Sequence, residues 1–138
     1  MTFPLITGYT AVFLALLQIV LMMAVGVRRR AAGITLGDGG DEALLYGIRR
    51  HGNLIENAPI FIILLAFYEA IGGVNGVVIS LAAIFAIARL SHAYALSGPD
   101  KPIAPRAIGA MGTLASILGA AAMVAYQLFA MQQSTAMY

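Results

Sequence analysis

The sequence predicts an all-α integral membrane protein, a bundle of four helices in up-down order, and three features carry that prediction. Hydrophobic residues make up 61% of the 138-residue chain and charged residues only 10%, more apolar surface than a soluble core of this size can bury. Apolar stretches long enough to cross roughly 30 Å of hydrocarbon at about 1.5 Å per residue recur along it. Clusters of Gly, Pro, Asp and Asn separate those stretches. By length the chain, residues 1–138, is a single domain.

The first helix is expected over about residues 4–27. It begins close to Met1 with no positive segment ahead of it and ends in Arg28-Arg29-Arg30. That charge order fits a retained helix with a stop-transfer end rather than a secretory signal. A loop of glycine and acid follows. The second helix, about 42–71, starts where Asp41 and Glu42 suit a helix N-terminus. Pro59 removes a backbone donor inside it, which predicts a kink. Gly72-Gly73-Val74-Asn75-Gly76 is a turn signal. The third helix is expected over about 77–96 and the fourth over about 105–131, with Pro105 as its first residue and Gln132 to Tyr138 as a frayed tail. Small residues at Gly109, Gly112, Ser116, Gly119 and Ala120 predict close helix packing on the fourth helix, within a subunit or between subunits.

All 8 Lys and Arg lie in or beside the loops after the first and third helices. By the positive-inside tendency those loops face the cytoplasm and both termini face away from it. The basic residues are few and have no aromatic residues interleaved, which argues against nucleic acid. There is no Cys, hence no disulfide, thiolate nucleophile or Cys metal site. Two His without a carboxylate at ligand spacing argue against any metal site. No Ser-His-Asp set, phosphate loop or carboxylate dyad can be assembled.

Against this apolar background the segment Arg49 to Pro59, RRHGNLIENAP, is anomalous. Polar and charged groups at a membrane mouth cost several kcal/mol of desolvation unless they face each other, water or a ligand. Arg49, Asn53 and Glu56 fall at i, i+4 and i+7 on one helical stripe, Asn57 borders it, and His51 points nearly the opposite way. Arg offers a fork to a carboxylate, Asn a donor and an acceptor, and Glu accepts an ammonium. The stripe suits a zwitterionic, peptide-like ligand; an internal Arg49–Glu56 ion pair is the competing explanation. Arg89 and His92 lie at i and i+3 on the third helix, with Tyr94 off that line. Arg106 opens the fourth helix, where a snorkelling interfacial anchor is the commoner role.

These segments resemble the motifs of the MAPEG superfamily, the membrane-associated proteins of eicosanoid and glutathione metabolism. Arg49-Arg50-His51-Gly52-Asn53-Leu54-Ile55-Glu56-Asn57-Ala58-Pro59 is similar to its second-helix pattern, Arg-x-(His/Gln)-x-Asn-x-x-Glu-(Asn/Tyr) and then Pro. Arg89-Leu90-Ser91-His92 is similar to its third-helix Arg-x-x-His/Tyr, and Pro105-Arg106-Ala107 to the Arg opening its fourth helix. The likeness spans the whole chain and is of the bacterial type.

The resemblance implies a homotrimer in a bacterial inner membrane, with glutathione as co-substrate bound between subunits near the cytoplasmic side. Arg49, Asn53, Glu56 and Asn57 would hold the tripeptide from one subunit, with Arg89 and His92 contributing from the third helix. His51 would reach the neighbouring subunit's ligand, and Arg106 would stabilise the thiolate as the catalytic group. The implied activity is a glutathione transferase or peroxidase acting on lipophilic electrophiles that partition into the bilayer, with membrane lipids as the surrounding partner. Members that conjugate glutathione commonly carry a Tyr seven residues after the third-helix Arg; here that position is Leu96. A non-catalytic lipid- or ligand-binding scaffold of the same fold therefore stands as the alternative. A small transporter is a third reading, against which Glu56 lies near the rim rather than the midplane.

Overall fold

The computed structural model describes residues 2–136 and consists of four helices: α1 Leu5–Ala32, α2 Glu42–Ala70, α3 Asn75–Ala95 and α4 Ile103–Thr135. Each is long and apolar enough to cross a membrane, and the chain is an integral membrane protein. Large apolar residues such as Leu16, Met23, Phe67, Ile87 and Phe129 are exposed on the outer faces, where lipid can cover them.

The helix ends differ from expectation for identifiable reasons. α1 continues past residue 27 through the three arginines, because cations in a last turn complement the helix dipole. It stops at Gly33, whose φ of 67° makes a left-handed cap. α4 starts after Pro102, with Pro105 in its first turn rather than at its first position; an orphan N–H is missing there at no loss. The same helix runs on through residues expected to fray, to Thr135, while Met137 and Tyr138 lie outside the described residues. Pro59 sits inside an unbroken α2, leaving the Ile55 carbonyl without its intrahelical donor.

α2 is the organising helix. Leu44, Leu54, Ala58, Phe61, Leu65 and Tyr68 are buried and, with half-buried Gly47 and His51, repeat at alternating steps of three and four. That period keeps one face of a helix turned to its neighbours. Phe61 stacks on Phe85 of α3, ring centroids 3.9 Å apart and planes 8° apart. Against α3 the small residues of α4 make their approach within the subunit: a Cβ on Gly109 would lie 2.6 Å from His92 Cβ, one on Gly112 2.8 Å from Ala88 Cβ, and one on Gly119 2.9 Å from a Leu81 methyl. The packing role expected of that stripe is thus met by α3.

The two ends of the α1–α2 pair are pinned by different chemistry. At one end Arg28 donates to both Asp41 oxygens, at 3.1 and 2.6 Å, while Asp41 caps α2 by accepting from Leu44 N at 2.8 Å. The Arg28 guanidinium, with the Leu44 amide, holds the Asp41 carboxyl below the usual carboxylate range. At the other end Glu69, only 6% exposed, accepts from Ile6 N at 2.9 Å, Thr7 N at 2.8 Å and Thr7 Oγ1 at 2.7 Å. α1 has no side-chain cap of its own, so the carboxylate of a neighbouring helix supplies one. An anion is favoured at that N-terminus, as much as it is disfavoured at the end of α2, where its own chain places it. Glu69→Ala is expected to lower stability in detergent by about 1–3 kcal/mol, the cost of stranding buried donors, and Glu69→Gln by less. Equal unfolding curves for all three proteins would show that the cap contributes nothing.

Candidate functional site

Three helices meet at the end of the molecule that carries the basic residues, and a cleft of about 410 Å³ opens between them. Arg49, Gly52, Asn53 and Glu56 of α2 line one wall; His92 and Leu96 line a second, and Arg106 of α4 closes it. The stripe deduced from spacing therefore faces the residues picked separately from the third and fourth helices. Arg49, Glu56 and Arg106 are exposed, whereas Asn53 and His92 are half-buried. No ion pair joins Arg49 to Glu56: among the described residues the carboxylate–guanidinium contact within 4.0 Å is Arg28–Asp41. Glu56 instead turns back along its own helix, its Oε1 3.8 Å from where a Cβ on Gly52 would stand.

A second cleft, of about 290 Å³, adjoins the first through Asn53 and His92. Asn57, Arg89 and Thr113 provide its polar lining, and Ala110, Leu114, Ile117 and Leu118 an apolar wall. Asn57 and Arg89 thus belong to this neighbouring cleft and not to the rim cleft. His51 joins neither; it lies on the register of the α2 packing seam, its Nε2 buried with no hydrogen-bond partner among the described residues.

Arg89 is the innermost member. It is 3% exposed and its guanidinium lies over the Phe85 ring, 5.3 Å from the centroid. Nη1 donates to Asn53 Oδ1 at 2.5 Å and to Asn53 O at 3.1 Å; Nη2 donates to Gly109 O at 3.1 Å and to Thr113 Oγ1. One cation from α3 thereby ties α2 to α4. A guanidinium at this depth is tolerated only where carbonyl and hydroxyl acceptors replace water. The Thr113 hydroxyl in turn donates to Gly109 O at 2.7 Å. Sequence reasoning missed Thr113 and Glu69. A Thr within a stripe of small residues, and an acid at the unfavourable end of a helix dipole, are the signals that mark them.

His92 stands between the two clefts with its Nδ1 buried and unpartnered among the described residues. A buried polar nitrogen without a partner is uncommon in native proteins, and this one adjoins a cleft that can admit one. Leu96 is 8% exposed and gives the rim cleft an apolar patch. Tyr94 is exposed on another face, beneath the Lys101 ammonium, 5.0 Å from its ring centroid.

Fold and site together define a four-helix integral membrane protein with a polar cleft at one rim and an apolar cleft beside it. A family model described as the MAPEG family matches residues 7–126, and the chain belongs to that family. It is similar to the inner membrane protein YecN of Escherichia coli K12, 34% identical over 89 residues, which cover 64% of this chain and 68% of YecN. YecN of Escherichia coli O6:H1 matches to the same extent. With that relative and four apolar helices, the chain is an integral inner-membrane protein. No solved structure matches at comparable significance.

The α3–α4 approach offers a test of how tightly the site is built. In Gly109→Ala the new methyl meets His92 Cβ at 2.6 Å and Ala88 O at 3.0 Å, so α3 and α4 must part. Overpacking of this kind costs about 1–3 kcal/mol. The variant is expected to unfold earlier in detergent and to shift the His92 ring resonances, and a variant matching the wild type in both would contradict the packing described.

Proposed function

We propose that this chain is a glutathione-dependent membrane enzyme, a transferase or peroxidase for lipophilic electrophiles, working as an up-down bundle in a homotrimer with both termini on the non-cytoplasmic side. The single observation that carries the reading is the rim cleft. Arg49, Asn53, Glu56, His92 and Arg106, chosen from three separate motifs, line one concavity of about 410 Å³, inside the range of small-molecule sites, about 300–1,000 Å³. Arg49 and Glu56 are not spent on each other, so a carboxylate and an ammonium of a peptide-like ligand can each find a counter-charge there. MAPEG membership supports a glutathione-related role. The trimer is supported by the exposed charged stripe of α2, which a single subunit would leave partly against lipid. The clustering of basic residues at the cleft end supports the orientation.

In this reading Arg106 acts on the thiol. A thiol with a pKa of about 8.5 is only a few per cent ionised at pH 7. A cation about 4 Å away, at an effective dielectric near 20, offers up to about 4 kcal/mol before screening. Half of that lowers the pKa by about 1.5 units and makes thiolate a major species. The proton leaves to water, the sulfur forms its new bond to the electrophile, and the leaving group departs with the bonding pair. The adjoining apolar cleft, walled by Leu114, Ile117 and Leu118, supports an acceptor that arrives from the bilayer.

Leu96 favours a second reading. It puts a methyl-bearing side chain in the rim cleft where glutathione-conjugating members of the family commonly carry Tyr, and a scaffold that binds its ligand without turning it over needs no hydroxyl there.

Arg49→Ala and Glu56→Ala are each expected to weaken glutathione binding by about 1.5–3 kcal/mol, the range for hydrogen bonds to charged groups, whereas Arg50→Ala changes it less. Calorimetric titration in detergent decides this, and unchanged affinity in both stripe variants would sink the assignment. Arg106→Ala separates enzyme from scaffold. Expected are largely retained binding, a bound-thiol pKa higher by about 1.5 units, equivalent to roughly 2 kcal/mol, and turnover that recovers at high pH. Lysine at this position should rescue in part, keeping charge but not the planar fork. Wild-type protein without thiolate absorbance at pH 7 would favour the scaffold.

A further inference from the structure

Asn53 is the residue the two clefts share with His92, and its amide has two ends that recognise opposite partners. Which end faces the ligand is fixed by chemistry already described. Arg89 has only donors, so the side-chain atom 2.5 Å from its Nη1 must be Oδ1. With the oxygen held by a charge-assisted bond, the part of Asn53 left for the cleft is Nδ2, a pure donor with no partner among the described residues. The neighbouring amide is fixed in the reverse sense. Asn57 donates from Nδ2 to Asn53 O at 2.8 Å; that carbonyl can only accept, so Asn57 keeps Oδ1, a pure acceptor, for the second cleft it lines.

We propose that Arg89 is a positioning residue of the site: by holding Asn53 Oδ1 it turns the Asn53 amide so that only N–H donors face the cleft, making this point selective for a carbonyl or carboxylate oxygen of the bound peptide. Asn57 Oδ1, one turn along α2, offers its acceptor to the neighbouring cleft instead. Arg89 itself, with Nη1 and Nη2 committed to Asn53, Gly109 and Thr113, acts through Asn53. The ligand identity rests on the glutathione reading above; the orientation of the amide does not.

The test uses the full chain in detergent with ¹⁵N-labelled asparagine, the Asn53 side-chain NH₂ pair being assigned by its loss in Asn53→Asp. In the ligand-free wild type a sharp, distinct pair is expected, and Arg89→Lys should broaden or average it because the fork that fixed the amide is gone. On addition of glutathione the wild-type pair should shift. Asn53→Asp keeps an oxygen for Arg89, so the fold and its melting temperature are expected to hold. It turns an acceptor toward the ligand in place of a donor, however, and glutathione should bind at least about tenfold more weakly, as for loss of one hydrogen bond to a charged group. Wild-type affinity in a folded Asn53→Asp would overturn the proposal, and so would an Asn53 pair indifferent to Arg89→Lys. Should Arg89→Lys fail to fold, Asn53→Asp decides alone. If the wild type binds no glutathione but its Asn53 pair still depends on Arg89, the positioning role stands and the glutathione reading falls.

Discussion

A guanidinium buried where the bilayer would be sets the terms for the rest of this molecule. Arg89 is almost wholly buried, so its charge is met by a side-chain amide and a main-chain carbonyl of α2 and by a carbonyl and a hydroxyl of α4. Those acceptors are within reach only if the backbones come close, and the glycines of α4 allow it: at Gly109 and Gly112 even a methyl group would collide with α3. Below the guanidinium, Phe85 offers its face to the cation and its other neighbour, Phe61, stacks in parallel. Pairing in this environment is close to obligatory, since a cation stripped of one partner keeps its desolvation cost and loses the compensation. The three helices are therefore held at a fixed separation, and the walls of the rim cleft are held with them.

The molecule satisfies its polar groups unevenly. At the end away from the cleft Glu69 is closed off by three donors from the start of α1. At the rim Arg49, Glu56 and Arg106 make no ion pair among the described residues, and His92 keeps a buried nitrogen without a partner. Asp41 and Glu69, by contrast, are met by donors of their own subunit. Charges left unpaired around one concavity are what the proposed binding role requires.

Much of this was legible in the sequence, for reasons that differ between elements. Four apolar stretches and the turn signals between them imply four helices, and a polar stripe at steps of four and three implies one lined face, because both follow from helical periodicity alone. Membership of the MAPEG family was legible on a different ground, the resemblance of the second-helix residues to that family's motif, and the family match bears it out. Helix ends were less legible: the arginines after residue 27 looked like a boundary, yet charge at a C-terminus extends a helix rather than ending it. Arg89 shows where spacing stops being informative. It shares a motif with His92, and only the approach of α4, set by Gly109 and Thr113, turns it inward to Asn53 rather than toward the rim cleft. His51 likewise shares the stripe's segment but falls on the packing register, a distinction that depends on which face α1 and α3 take up.

Hydrogen–deuterium exchange with and without glutathione tests most directly whether the rim cleft is where the ligand sits. Slower exchange is expected on ligand addition in residues 48–57 of α2, around His92 and Leu96, and in the first turn of α4 near Arg106, while the Glu69 end of the bundle stays unchanged. Unaltered exchange throughout, or protection confined to the Glu69 end, would contradict it.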